Sequence, residues 1–327
     1  MALRDFGLLV MVCLLWAANN IVSKFVVATL GAPPLFYAAV RFAVVAAVVF
    51  PWLRPIPRPL WRLIVVALTM GGGNFALIFI ALKTASPSSV AIVSQVMAPF
   101  TTLLSYFMLG ERIAPRRAVG ITLTLAGAMA VMWDPHGFKI SAGLLYVVGG
   151  AFLGSLGAVM MKQMDGVKPL TFQAWVGLVS VTALTPLSLI FEPNAVRKVV
   201  EIGWLFWVCV LFSGLIVSVV GHTLYYGLIQ RYEANLISPL TLMTPLATIV
   251  MGVLITHDAF GPRMAFGTAI ALAGVMIIAL RPARWSPSSS SSGALPSDPD
   301  RGPVPQFQRT QGPAGHSGPA LYRHADR

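Results

Sequence analysis

Ten apolar runs, each about 20 residues long, restrict the folds open to this chain more than any other feature. The runs are continuously apolar rather than alternating, so they predict membrane-spanning helices and not the strands of a barrel. Charged residues make up only 10% of the chain, whereas a soluble domain carries about 25%. The sequence therefore predicts an all-α membrane protein with ten transmembrane helices at 6–29, 35–53, 60–82, 87–109, 113–133, 141–163, 169–191, 204–230, 233–256 and 262–280.

An internal duplication organises these runs. The stretch 86–131 recurs in weaker form at 232–278, with Pro99 and Pro245 in matching places 146 residues apart. Each copy holds five helices, an odd number, so the second copy must cross the membrane in the opposite direction. Inverted repeats are a recurring plan of secondary transporters, which bind substrate near the midplane where the repeats meet. The predicted divisions are a first repeat at 1–133, an inverted second repeat at 134–281 and a disordered cytoplasmic tail at 282–327.

The distribution of lysine and arginine predicts the orientation of the chain. With the N-terminus inside, sixteen of these residues fall in cytoplasmic segments and five on the other side. Both termini are therefore predicted to be cytoplasmic. The net charge of +12 does not indicate nucleic-acid binding, because the basic residues are scattered singly between apolar runs.

Two adjacent amides, Asn19 and Asn20, fall near the middle of the first predicted helix. An unpaired amide is costly at that depth, so these side chains either bond another helix or line a wet cavity. We predict that they line the substrate path. Lys24 and Lys162 occupy matching places in the two copies, and both can simply extend to the nearest headgroups.

Small and polar side chains recur at steps of three and four residues in the fourth and ninth predicted helices, which places each set on one face. Such faces usually indicate close helix packing, but packing explains the polar members less well. We predict that the polar members line the path: Gln95, Thr102, Thr241, Thr244 and Thr248. Pro99 and Pro245 each remove a backbone hydrogen bond near mid-span, so both are predicted hinges.

The third predicted helix carries three glycines followed by Asn74, which is poor helix-forming sequence at mid-membrane. Gly72 is a predicted hinge and Asn74 a predicted path residue, because backbone loosens at that depth only where protein or a water-filled cavity satisfies it. The eighth predicted helix contributes His222 and Tyr225 as further path candidates, although a lone histidine is more often a packing residue.

Signals for enzyme chemistry are missing from the sequence. It contains no metalloprotease, nucleophile-elbow or phosphate-loop motif. Cys13 and Cys209 both lie inside apolar runs, so neither a disulfide nor a metal site is predicted. Acidic residues fall only at or beyond the ends of the predicted helices. We expect no catalytic residue, no metal and no cofactor.

Several motifs resemble those of a known family: Trp16-x-x-Asn19 with Lys24, Arg41-Phe42 and Gly110-Glu111-Arg112. With the ten helices and the duplication, residues 6–280 resemble the EamA-type branch of the drug/metabolite transporter superfamily. Arg231-Tyr232-Glu233, Ser238-Pro239-Leu240 and Pro245 are similar to the O-acetylserine/cysteine exporter group within that branch. The resemblance implies alternating access, a central cavity and export of amino acids or related metabolites from the bacterial inner membrane. One departure is the ending of the second copy, Thr256-His257-Asp258, where the family usually repeats a Gly/Asp-Glu ending.

The favoured reading is a multi-pass secondary transporter of the cell inner membrane that exports small metabolites such as cysteine or O-acetylserine. A passive facilitator or pore is an alternative that the sequence does not separate from a coupled carrier. A membrane-embedded enzyme is a further alternative, but it would need clustered acids, histidines or a metal site. The expected partners are a small-molecule substrate and the lipid bilayer, without nucleic acid. One chain supplies both halves of the path, so a monomer suffices and a homodimer stays open.

Overall fold

The computed structural model describes residues 1–134, 139–164, 167–232, 237 and 240–280. Within these ranges the backbone is helical except for short loops and one antiparallel pair of two-residue strands, β1 (Trp133–Asp134) and β2 (Lys139–Ile140). The first seven helices are α1 (Leu3–Thr29), α2 (Pro34–Leu53), α3 (Leu60–Leu82), α4 (Pro87–Leu109), α5 (Pro115–Met132), α6 (Ala142–Met161) and α7 (Pro169–Phe191). The others are α8 (Ala195–Ile202), α9 (Trp204–Leu211, Phe212–Gly221 and His222–Arg231 in succession), α10 (Met243–Ile255) and α11 (Pro262–Ala279).

Eight of the described helices are long and apolar enough to cross a membrane, namely α1 to α4, α6, α7, α9 and α11. The other two predicted spans coincide with α5 and α10. Helix α5 is less apolar because it opens with Arg116 and Arg117 and contains several threonines and glycines. Helix α10 is only 13 residues long, and the start of its predicted span lies mostly outside the described residues. Ten spanning helices therefore remain a prediction.

One segment that the sequence places between predicted helices is itself helical. The segment 192–203, between the seventh and eighth predicted helices, contains the short helix α8, whose apolar side chains recur on one face. The predicted cytoplasmic tail, 282–327, lies outside the described residues.

Three of the described helices contain a π-helical segment. Helix α1 ends as a π-helix over Phe25–Thr29, α3 contains one over Leu68–Gly73, and α9 contains one over Phe212–Gly221. The segment in α3 holds the three glycines, as their poor helix propensity predicts. The N–H of Gly72 donates to Ser180 Oγ of α7 at 2.8 Å, so protein satisfies the loosened backbone there.

Helices α5 and α11 pack backbone to backbone, one from each copy. A Cβ added at Gly120 would lie 2.8 Å from the Gly274 carbonyl oxygen, and one added at Gly127 would lie 2.5 Å from the Gly267 carbonyl oxygen. The early residue of one helix meets the late residue of the other, so the two helices are antiparallel. Small residues permit this close approach in lipid, where packing rather than hydrophobicity drives helix association.

Helices α4 and α10 also run in opposite directions. Ser88 in the first turn of α4 contacts Asp258, which follows α10. Residues that precede or begin α10, including Thr241, lie across a cavity from Ser105 near the end of α4. We call the two extremities the Asp258 end and the Glu111 end, since Glu111 follows the last residue of α4.

Large apolar side chains cover the outside of the molecule. Phe107 is 77% exposed, Phe191 71% and Leu254 70%. Water would not tolerate such a surface around eight apolar helices, whereas lipid does. The protein is a multi-pass membrane protein.

Candidate transport site

A cavity of about 590 Å³ lies among α1, α4, α10 and α11, with walls from both copies. Six of the predicted path and hinge residues line it: Asn20, Gln95, Thr102, Thr241, Thr244 and Pro245. The fourth and ninth predicted helices thus bring their polar faces to one space, as the side-chain periodicity predicts.

The cavity wall offers both hydrogen-bond donors and acceptors. The Thr102 hydroxyl donates to the Ala98 carbonyl of its own helix at 3.0 Å, which leaves its oxygen as an acceptor. Gln95 Nε2 donates to the Ala91 carbonyl at 3.3 Å, and the amide has a second N–H and an acceptor oxygen. Asn20 Nδ2 donates to Thr248 Oγ1 at 3.4 Å. These groups can bind a polar solute by hydrogen bonds without a formal charge.

Five of the ten predicted path residues are not part of the cavity wall, namely Asn19, Asn74, Thr248, His222 and Tyr225. Asn19 faces away from it because adjacent residues on a helix point in different directions. Asn74 Nδ2 donates to the Gly150 carbonyl at 2.8 Å and so ties α3 to α6. Thr248 is fully buried behind Asn20.

Trp16 is the aromatic residue of the cavity wall, and it connects the cavity to two other predicted residues. Its ring centroid lies 5.4 Å from that of His222 and 4.9 Å from that of Tyr225. His222 and Tyr225 therefore stand behind Trp16 and do not line the cavity themselves. Trp16 lies four residues before Asn20, one helical turn away on the same face, and this spacing could have predicted its place.

Behind Trp16, His222 and Tyr225 lies a buried polar cluster that the sequence pattern does not predict as a site. Arg41 of α2 is 1% exposed, and its Nε and Nη2 donate to Ser218 Oγ at 3.2 and 2.8 Å. Its guanidinium lies 4.2 Å from the ring centroid of Phe75. Ser213 Oγ donates to Asn19 Oδ1 at 2.6 Å and so joins α9 to α1. The cluster thus fastens the π-helical part of α9 to α1 and α2.

His222 contacts the same π-helical part of α9 through its ring nitrogen Nδ1. His222 Nδ1 lies 3.2 Å from the Val217 carbonyl oxygen and 3.1 Å from that of Ser218. Both neighbours are acceptors, so Nδ1 carries a proton in this arrangement.

Charged side chains border the cavity at the Glu111 end. Lys162 Nζ lies 3.7 Å from Glu111 Oε1 and 3.5 Å from Ser105 Oγ. The Lys162 and Glu111 side chains are 52% and 45% exposed, and Arg117 lines the cavity beside them. This end of the cavity is therefore accessible from outside the protein and carries both signs of charge.

The Asp258 end is closed by direct contacts. Asp258 Oδ2 accepts from the Ser88 N–H at 2.9 Å and from the Ser88 hydroxyl at 2.5 Å. Lys24 Nζ donates to the Ala85 carbonyl at 3.0 Å. Ser88 has no exposed surface, so α1, α4 and the segment after α10 meet tightly here.

The predicted hinges have different surroundings. Pro99 is buried just after a short 3₁₀ segment, Ser94–Val96, where α4 departs from regular geometry. Pro245 lies in the cavity wall near the start of α10. Gly72 packs against Ser180, and a Cβ there would lie 3.3 Å from the Ser180 Cα. Hinge motion at these residues stays a prediction.

Among the residues that the structure describes, no group of three or more His, Cys, Asp or Glu side chains could hold a metal ion. The cavity resembles a binding site for a small polar molecule. Its volume falls within the range of small-molecule pockets, about 300–1,000 Å³.

Comparison with known proteins identifies the family. The model of the EamA-like transporter family matches twice, at residues 6–133 and 141–280. The chain belongs to this family. The two matches coincide with the duplication, so the EamA-like transporter has a two-repeat architecture.

Relatives and a solved structure resemble this EamA-like transporter at low identity. A "Probable amino-acid metabolite efflux pump" of Escherichia coli (strain K12) is 26% identical over 85% of this chain and 95% of its own length. The "Uncharacterized inner membrane transporter YhbE" of the same organism is 24% identical over 83% of this chain and 89% of its own length. A protein known from a crystal structure matches with a TM-score of 0.58 at 22% identity, over 85% of this chain and 96% of that one. This last similarity concerns the fold alone.

Proposed function

We propose that this EamA-like transporter is a secondary carrier that exports amino-acid metabolites across the inner membrane by alternating access. The observation that carries the proposal is the cavity, which takes polar side chains from both repeats, reaches solvent at the Glu111 end and is closed at the Asp258 end. A carrier must expose one site to one side at a time, and this arrangement fits one of its two states.

The proposed topology has ten spans in two inverted repeats, with α5 and α10 as the fifth and ninth. The antiparallel pairs α4/α10 and α5/α11 support inversion, since each pairs one helix with its counterpart from the other copy. The bias in lysine and arginine supports cytoplasmic termini. In that orientation the Glu111 end faces the cytoplasm, where an exporter collects its substrate.

Amino-acid metabolites are proposed as substrates on two grounds. Relatives that align over most of their length include one named as a probable amino-acid metabolite efflux pump. The wall has hydroxyl and amide groups for a zwitterion, and charges of both signs stand at the rim where it would enter. Cysteine and O-acetylserine are the first compounds to test.

The test is transport by the purified full chain in proteoliposomes. Vesicles loaded with radiolabelled cysteine, O-acetylserine or other amino acids should release them faster than protein-free vesicles, and unlabelled substrate should compete. An imposed pH or sodium gradient should drive accumulation against a concentration gradient. Equilibration without accumulation would identify a passive facilitator instead, and no transport of any compound in the panel would contradict the proposal.

A matched pair of variants ties transport to the cavity. Thr102→Trp places an indole in the cavity and should reduce transport at least about tenfold, because the site would lose much of its free volume. Thr182 also donates to its own helix at 3.0 Å, but it is exposed on α7. Thr182→Trp should therefore transport normally. Equal activity of the two variants would place the substrate path elsewhere.

A further inference from the structure

The segments that follow α4 and α10 have the same backbone turn. Gly110 and His257 both adopt a left-handed conformation, with φ of 67° and 53°. The next N–H in each copy reaches back six residues, from Glu111 to the Ser105 carbonyl and from Asp258 to that of Gly252. The residues of the second copy that form this turn are thus those of the first shifted by 147 positions. In both copies a left-handed residue ends the helix and lets the next N–H satisfy a carbonyl of its last turns.

Asp258 is therefore the counterpart of Glu111, although the two copies differ in sequence there. A lysine accompanies each acid. Lys162 lies 3.7 Å from Glu111, and Lys24, its match in the first copy, donates to the carbonyl of Ala85, three residues before the Ser88 that binds Asp258. The 23 residues of α4 separate the two pairs by about 35 Å. The duplication has placed one acid and one lysine at each end of the cavity.

The two acids are in different states. Asp258 is satisfied on both oxygens, since Oδ2 accepts twice from Ser88 and Oδ1 accepts from the Thr256 hydroxyl at 2.8 Å. A carboxylate at the first turn of a helix is also favoured by the helix dipole. Glu111 is 45% exposed at the rim of the cavity. The acid at the Asp258 end thus forms hydrogen bonds that connect two segments, whereas the acid at the Glu111 end is half exposed.

We propose that the contact of Asp258 with Ser88 is the latch that keeps the Asp258 end of the path shut in this state. This proposal rests on the proposed function, because a latch has a role only if the path opens alternately at its two ends. Opening the Asp258 end requires α4 and α10 to separate there, and both hydrogen bonds from Ser88 break when they do. Removing the charge of Asp258 should therefore shift the population toward the state that is open at that end.

The test measures from which side the cavity can be reached. Thr102→Cys is introduced into the full chain, whose own cysteines, Cys13 and Cys209, are both buried. Sealed membrane vesicles of both orientations are treated with a membrane-impermeant thiol reagent. In the otherwise unaltered protein the cysteine should react from one side, the Glu111 side. Adding Asp258→Asn should raise the rate of labelling from the opposite side by about tenfold or more, as expected for weakening two charge-assisted hydrogen bonds, and lower the rate from the Glu111 side.

Two further variants separate the latch from general loss of stability. Ser88→Ala removes one donor and leaves the acid in place, so it should shift the labelling in the same direction by a smaller factor. Glu192→Gln weakens a comparable contact, in which the carboxylate accepts from the N–H groups of Leu35 and Phe36 at 3.0 and 2.8 Å. It should leave the sidedness unchanged. The latch is refuted if neither Asp258→Asn nor Ser88→Ala shifts the labelling, or if Glu192→Gln shifts it equally.

The outcome for the proposed function can be read separately in the same vesicles. Protection of Thr102→Cys by an amino-acid substrate tests whether the cavity binds that substrate. Protection without a shift in Asp258→Asn and Ser88→Ala would overturn the latch alone. A shift without protection by any compound in the panel would support the latch and count against the proposed substrate class.

Discussion

The contact between α5 and α11 permits a quantitative prediction, because the two helices touch through glycine. A Cβ at Gly127 would lie 2.5 Å from the Gly267 carbonyl oxygen, and one at Gly274 would lie 2.5 Å from the Thr124 nitrogen. Ordinary van der Waals contact begins at 3.4 Å. Alanine at either position must therefore push the helices apart by nearly 1 Å, and the obstructing atoms are backbone that cannot rotate away.

We expect Gly127→Ala and Gly274→Ala each to lower the free energy of unfolding by about 1–3 kcal/mol, the usual cost of overpacking. At about 2–4 °C per kcal/mol for a chain of this size, Tm should fall by roughly 2–12 °C. Both substitutions separate the same two helices, so the double variant should lose less than the sum of the single losses. The measurement is thermal unfolding of the purified protein in detergent.

Gly7→Ala is the matched control, since a Cβ at Gly7 would have no atom within 4 Å. Its Tm should not fall and should rise by up to about 4 °C, because alanine is about 1 kcal/mol more favourable than glycine in a helix interior. A Tm for Gly127→Ala equal to that of Gly7→Ala would refute the backbone contact. Additive losses in the double variant would show that the two glycines do not share one interface.

Four further predictions concern the termini and two buried polar contacts. A C-terminal reporter that is active only outside the cytoplasm should be silent, and activity there would contradict the proposed orientation. Truncation after Arg284 should leave transport and Tm unchanged, and a loss of either would show that the tail contributes to the protein. Glu192→Gln should lower the free energy of unfolding by about 0.5–2 kcal/mol, because it weakens the cap of α2; an unchanged Tm would argue against the cap. Arg41→Met should keep Tm within a few degrees, because it removes the desolvation cost of a buried cation while nearly conserving the side-chain volume. It should reduce transport, because α9 loses its hydrogen bonds to Arg41 at Ser218; unchanged transport would limit the role of Arg41 to packing.

The sequence predicted the helical fold and the two repeats because both depend on patterns that extend over many residues. Apolar runs identified eight spans that the structure also has, and α5 failed the same criterion through its arginines and threonines. The short helix α8 was missed because it has only eight residues, too few to be distinguished from a loop by its sequence pattern. The π-helical segment of α9 was also missed, since its sequence has no cluster of glycines like that in α3.

The candidate site was predictable where polar side chains recur along one face of a single helix. It was less predictable where residues of different helices come together. Gln95 and Thr102 share a face of α4, and both line the cavity. Asn19 and Asn20 were predicted together, but adjacent residues diverge by 100° and only Asn20 lines it. The buried cluster around Arg41 required knowledge of which helices pack together, because Ser218 lies 177 residues away in the chain.

If the protein alternates between two states as proposed, differences between the two copies favour closure at the Asp258 end. Gly252, counterpart of Ser105, has no side chain, and the space that its Cβ would occupy is taken by Ser88 Oγ and by the Asp258 carboxylate. At the other end Ser105 carries a hydroxyl, which accepts from Lys162. If the Glu111 end closed by the same close approach, the Ser105 side chain would obstruct it. Under the proposed mechanism, closure at the Asp258 end is then the more favourable of the two, and a substrate would reverse this preference only through its differential affinity for the two states.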